Sequence, residues 1–206
     1  MSDLVPVLGL AAGAVGVADT IPYVRDTLGG TTRPHRGTWL IWGGLAIVVC
    51  FSQYADGASW SLVMAGVQAV LTGLVFVLSI RRGEGGLSTI ELVMVAIAAV
   101  GVLGWIVADE PLVATACVVA ADLIGTAMMV PKTWRDPDSE TLITYAFASL
   151  GGALAAGAVG AMDLSLLLYP VYYCLGNGAI ALLIQHRRNA RRVGQHLARV
   201  QVAGGI

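Results

Sequence analysis

The positions of the charged side chains constrain this chain more than any other feature. They fall in short clusters, and between the clusters lie apolar runs at about 4–28, 37–54, 59–80, 89–108, 111–131, 140–161 and 164–186. A helix that crosses the hydrocarbon core of a bilayer needs about 20 mostly apolar residues. Each run is of that order, and together they leave little chain for a soluble domain. Only 12% of residues are charged, about half of what a soluble domain carries. In lipid every backbone polar group must be satisfied internally, so spans are helices or strands of closed barrels. These runs are too long and too continuously apolar for barrel strands, which alternate over roughly 10-residue segments. The expected fold is all-α, a polytopic membrane protein with seven transmembrane helices.

Basic residues in short loops set orientation. Arg25, Arg33 and Arg36 flank the first loop, Arg81 and Arg82 follow the third run, and Lys132 and Arg135 follow the fifth. Arg187, Arg188, Arg191, Arg192 and Arg199 follow the seventh. With seven spans all of these fall on one side, and the opposite loops carry Asp56, Asp109, Glu110 and Asp163 without a base. The expected placement is a cell membrane, the inner membrane of a bacterium, with the N-terminus outside and the C-terminus in the cytosol. No Lys or Arg precedes the first run, so it reads as a span and not as a secretory signal. The tail after Arg187 reads as an orientation signal that touches anionic lipid.

The sequence also repeats itself. With a shift of 103 residues, Val15 falls on Val118, Ala18 on Ala121, Asp19 on Asp122, Ile21 on Ile124, Pro34 on Pro137 and Thr38 on Thr141. Trp42 falls on Tyr145, aromatic on aromatic. Residues 1–82 and 111–188 then form two three-helix bundles, 83–110 a linker helix, and 189–206 a basic cytosolic tail. One span between two three-helix units gives both the same direction, as in parallel repeats about an axis along the membrane normal.

This plan resembles the SWEET/PQ-loop (MtN3-like) transporter superfamily, and the resemblance covers the whole chain. Ile21-Pro22-Tyr23-Val24-Arg25 places Pro22 where the family has its PQ proline, and Val130-Pro131-Lys132 is the counterpart. Arg33-Pro34-His35-Arg36 and Asp136-Pro137-Asp138-Ser139-Glu140-Thr141 are similar to the polar stretch that follows. Asn177-Gly178 looks like the motif of the last span, while the matching position in span three is Leu71, with Gln68 the nearest polar group. The resemblance implies a 3+1+3 arrangement, a transport function and Asn177 as a ligand of the solute.

Asp19 and Asp122 carry the chemistry. An ionised carboxylate at the bilayer centre costs about 2.5–3.5 kcal/mol or more, and such residues mark ion or substrate pathways. Facing each other across a central path, they could bind a proton, a cation, or a cationic or hydroxylated solute. A structural role, a neutral Asp bonded to a neighbouring helix or to carbonyls freed by Pro22 and Pro131, competes with this. The same two prolines are hinge candidates. Gln68 and Asn177 are mid-span amides that serve either as solute ligands or as interhelical bonds. Trp42 and Tyr145 could floor a pocket between the bundles or pack in the core. Glu91 reads as an acid at a helix N-terminus.

Cys50, Cys117 and Cys174 sit inside apolar runs with neither metal nor redox spacing. Lys132, the one lysine, lies at a cytosolic helix end, so no mid-membrane Schiff base is available. No phosphate loop, paired metal-ligand motif or Ser-His-Asp set stands out. The expectation is no enzyme, no cofactor, no metal and no nucleic acid. The leading function is transport or facilitation of a small polar or cationic solute across the lipid bilayer, coupled to protons or cations through the two aspartates. A seven-helix receptor or interaction protein on the same scaffold is the alternative. Oligomeric state is left open by the sequence.

Overall fold

The computed structural model describes residues 4–55, 60–86, 88–107, 111–159, 162 and 164–204. Among them the regular elements are helices, and the one β-type contact is an isolated bridge between His35 and Glu84. The helices are α1 (Leu4–Ala18), α2 (Thr20–Leu28), α3 (Arg36–Ala55), α4 (Trp60–Arg82), α5 (Thr89–Val107), α6 (Pro111–Arg135), α7 (Leu142–Ala158) and α8 (Leu164–Gly204). A short 3-10 turn (Pro137–Ser139) joins α6 to α7. Leu4–Leu28, Thr115–Arg135 and Leu167–Leu197 are long and apolar enough to cross a membrane. Thr89–Gly104 and Leu142–Ala158 are shorter apolar helices.

α1 and α2 are one rod with a break at Asp19. The Asp19 amide still donates to Val15 O at 2.9 Å. The break follows from Pro22, which has no N–H to offer the carbonyl four residues back, that of Ala18. Pro131 has the same effect on Ala127 in principle, yet α6 runs through it to Arg135 without interruption. α8 also contains a proline, Pro170, and extends over 41 residues, far past the end of its apolar part.

Packing arranges six of these rods in a ring. α4 lies between α3 and the α1–α2 rod, and α8 lies between α7 and α6. α1 runs along α7, and α3 runs along α6. The order around the ring is therefore α1–α2, α4, α3, α6, α8, α7. α5 stands outside it, against α6 and α3. Ile41 and Leu45 of α3, Ala98 of α5, and Val118, Ala121 and Met128 of α6 form the apolar seam that holds it. The main core fills the ring itself, with Tyr23, Trp39, Val75, Met129, Tyr145, Ile180 and Ile184 supplied by all six rods.

Close approach depends on small residues. A Cβ on Gly152 of α7 would lie 2.6 Å from the backbone nitrogen of Cys174 on α8. Nearby, the Ser149 hydroxyl donates to Cys174 O at 2.8 Å, an interhelical bond that reaches backbone. At the loop end, Gly85 and Gly86 both have positive φ, the region where only glycine sits without strain.

The basic loops gather at one end of the ring. Arg33 pairs with Asp136 and with Glu84, while Arg36 Nε donates to Ser79 O at 3.1 Å. Arg82 donates to Leu28 O, and Arg188 Nη2 donates to Glu140 O at 2.7 Å. Arg191 pairs with Asp136 and Asp138. Three tail arginines, with Arg187 bonded to Trp134 O, are thus spent on the protein's own loops. Carbonyls and carboxylates at the end of α6 capture these guanidiniums first.

Candidate functional site

Asp19 lies at the α1–α2 break and is 5% exposed. Its carboxylate accepts the Thr20 hydroxyl at 2.9 Å. Its carbonyl accepts the Thr144 hydroxyl of α7 at 2.7 Å, a bond from the other half of the chain. Asp122 lies inside α6, where Oδ2 accepts the Tyr172 hydroxyl at 2.5 Å. Thr126, one turn further along α6, also bonds it. Tyr172 belongs to a cluster on α8. Tyr169 stacks on Tyr173 with centroids 5.8 Å apart and lies 6.4 Å from Tyr172. Tyr173 is within electrostatic reach of both Asp19 and Asp122. The fold thus brings the two acids to the surroundings of one tyrosine cluster, each already holding a hydroxyl.

Other residues singled out by sequence are placed differently. The Asn177 amide donates to Tyr173 O at 2.9 Å, inside its own helix. Trp42 sits edge-on to Trp39 at 5.2 Å. Its indole nitrogen is buried and has no partner among the described residues. It packs against Gly125, where a Cβ would come within 3.1 Å of it. Tyr145 is 1% exposed and bonded, as described next. Pro22 is half-buried and Pro131 exposed. The side chain of Gln68 lies outside the described residues.

Below the acids, toward the basic end, is a polar network that sequence reasoning missed. Glu140 is 1% exposed. Its Oε2 accepts the hydroxyls of Tyr23 at 3.0 Å and Tyr145 at 2.9 Å, and Trp39 Nε1 donates to Tyr23 Oη at 3.1 Å. Its Oε1 pairs with Lys132 Nζ at 2.5 Å. Lys132 also donates to the carbonyls of Arg33 and Ser139. Lys132 is therefore a buried partner of an acid, not a free cation at a helix end. The reason is local: α6 continues past Pro131, and the following turn folds Glu140 back over the last turn of that helix. A chain with one lysine, placed eight residues before a Glu, was the only available hint. Tyr23 and Trp39 come from the first half of the chain and Glu140, Tyr145 and Lys132 from the second, so this network ties the halves together. Beside it, Thr32 and Thr141 share a 2.6 Å hydroxyl contact, and Thr141 donates to Asp26 at 3.1 Å. These side chains line a cleft of about 290 Å³ with Asp138 and Arg188.

The linker helix has its own polar lock. Ser88 and Glu91 cap α5 reciprocally: the Ser88 amide donates to Glu91 at 2.8 Å and the Glu91 amide to Ser88 Oγ at 3.3 Å, the arrangement of a capping box. This agrees with a helix-N-terminal role for Glu91. Glu91 also meets His35 Nε2 at 2.9 Å, and the Thr38 amide donates to His35 Nδ1 at 3.3 Å. An amide N–H cannot accept, so Nδ1 is the acceptor and Nε2 carries the proton. Burial holds His35 below the ordinary histidine range, against the opposing pull of Glu91. The unfolded chain then binds this proton more readily than the folded one, so stability rises with pH. The contribution is full above about pH 6.5, the free-imidazole value, and is lost as pH falls through the folded value. Thermal midpoints in detergent should drop between pH 7.5 and 5.5, and His35→Gln should flatten that slope. An unchanged slope would place the titration elsewhere.

The chain matches no family model, no curated protein and no solved structure.

Proposed function

We propose that this protein is a membrane transporter or facilitator of a small polar or cationic solute, coupled to protons or cations through Asp19 and Asp122. The observation that carries the proposal is a pair of carboxylates, Asp19 and Asp122, one on the first rod of each half of a six-rod ring and each bonded to a hydroxyl. Each acid is embedded among hydroxyl groups. The Lys132–Glu140–Tyr23–Tyr145 network lies nearer the basic end, so a solute passing that way must break bonds between the halves. Such a cross-linked closure suits alternating access better than a static channel.

The same reading includes seven spans, an outside N-terminus and two parallel three-helix bundles. It is supported by how the halves pack. In each half the third rod lies between the first and second, and the first rod of each half runs along the second rod of the other. The cytosolic side is assigned from the clustered arginines. Cysteines introduced at Asp56, Glu110 and Asp163, with the native cysteines removed, should react with an impermeant thiol reagent from outside. Those at Arg33, Gly83 and Asp138 should react only after permeabilisation. Labelling in any other alternation rejects the seven-span topology.

Function itself is tested by loading proteoliposomes with candidate sugars, amino acids, vitamins and amines and following counterflow. A solute that stabilises the purified protein but never crosses would favour a receptor on the same scaffold.

A further inference from the structure

Within its apolar part, helix α8 has two opposite sides. Val171 and Leu182 are exposed and lie about half a turn from Ile180, at 3.6 residues per turn. They face outward. Ile180 and Ile184 are 4% and 0% exposed and belong to the core that fills the ring. Tyr173 and Tyr169 lie about two and three turns before Ile180 on that same inward line. Exposure changes along it: Tyr173 is half-buried and Tyr169 is 38% exposed, although both face the ring. The interior is therefore shut around Ile180 and Ile184, toward the arginine end, and open beside Tyr169.

The two acids meet this opening. Asp122 is half-buried and holds the Tyr172 hydroxyl. Tyr169 is within electrostatic reach of Asp122, and Tyr173 of both Asp122 and Asp19. What the opening lacks is a positive side chain. Residues 1–24, 37–80, 83–131 and 142–185 contain no Lys, Arg or His. Lys132 lies about 15 Å along α6 from Asp122 by helical rise and is tied to Glu140. Arg25, past Asp19, pairs with Asp26 at 3.0 Å with its side chain 77% exposed.

We propose that this opening binds an organic ammonium ion, its charge between Asp19 and Asp122 and its alkyl groups against the rings of Tyr169 and Tyr173. The negative face of an aromatic ring attracts a cation, and quaternary ammonium groups are the ions best served by it. A zwitterionic amino acid would bring its carboxylate to a wall that already holds two and offers no base. A sugar would leave both acids without a counter-charge at membrane depth, where charge is expensive. A bare metal ion needs a cage of ligands, and no group of three or more His, Cys, Asp or Glu suited to one exists among the described residues. The proposal deepens the transport reading, and rests on it for passage but not for binding.

Calorimetry on the purified full chain in detergent tests the ligand class apart from transport. The probes are choline and benzyltrimethylammonium. Two controls accompany them: betaine, which adds a carboxylate to the quaternary ammonium, and the carbon isostere of choline, which lacks the charge. Both cations should bind saturably, and both controls at least about tenfold more weakly. Tyr169→Leu should weaken choline binding by roughly 5–30-fold, and Tyr169→Phe, which keeps the ring, by less than about threefold. Asp122→Asn should weaken it by more than about 30-fold. Choline binding without counterflow in proteoliposomes would keep the site and sink transport. Counterflow of a sugar or amino acid with no binding of either cation would do the reverse. The proposal is also overturned if betaine or the isostere binds as tightly as choline, if neither cation binds saturably, or if Tyr169→Leu and Tyr169→Phe behave alike.

Discussion

Lys132→Met should destabilise the protein by about 3–5 kcal/mol, the usual cost of removing one partner from a buried ion pair. Lys132 and Glu140 have side-chain exposures of 4% and 0%, so water cannot replace the ammonium. The Met side chain fills the space but leaves Glu140 with a charge and only the hydroxyls of Tyr23 and Tyr145 as donors. It also takes a donor from the carbonyl of Arg33, while that of Ser139 keeps the Arg33 amide at 2.9 Å. By the scaling of soluble domains this size, the thermal midpoint should fall by roughly 6–20 °C. Adding Glu140→Gln removes the stranded charge while keeping an oxygen for the two tyrosines. The double variant should recover most of the loss, and that non-additivity is the signature of direct coupling. A loss of under 1 kcal/mol in Lys132→Met would mean the pair is wet. If the network also closes the basic end, the double variant should raise solute exchange, because the charged tie between the halves is gone.

The helices were legible because hydropathy reports them directly. The expected runs 37–54 and 89–108 correspond to α3 and α5 to within a residue or two. What hydropathy could not report was how polar groups end a run. Lys132 and Arg135 marked the end of a span on the expectation that charge seeks water, yet α6 carries both as helix, and Lys132 turns inward to an acid outside the run. Asp19 and Asp122 stood out because a lone acid among apolar neighbours is expensive. Tyr172 and Tyr173 did not, since a tyrosine in a span is ordinary until its hydroxyl is seen to hold a carboxylate. The long α8 was hidden for a related reason. A tail rich in Arg, Ala and Gln has no hydropathy signal but keeps good helix propensity, so it extends the span it follows. Contacts between distant segments, such as Thr144 to the Asp19 carbonyl, leave no trace in a single sequence.

Asp19→Asn and Asp122→Asn should each abolish the pH dependence of solute uptake while leaving the fold intact. Asn has the shape of Asp and retains an oxygen for the Thr20 hydroxyl at position 19 and for the Tyr172 hydroxyl at position 122. What it loses is the ability to bind or release a proton. A purely structural acid predicts a different pattern. Asn would then be silent in every assay, and Leu would cost about 1–3 kcal/mol by leaving the hydroxyl donors unpaired. Stability and uptake therefore need to be measured on the same preparations. Thermal midpoints should stay within a few degrees of wild type for both Asn variants and fall for both Leu variants. Proteoliposome uptake from pH 5.5 to 8 should be flat in Asp19→Asn and Asp122→Asn and sloped in wild type. Phe147→Ala is the matched control, because this exposed α7 residue forms no part of the acid cluster and its uptake should keep the wild-type slope. Sloped uptake at a raised KM in both Asn variants would remove proton coupling through these residues and leave them as solute ligands. Asn variants with the wild-type rate, KM and pH slope would return both acids to a structural role.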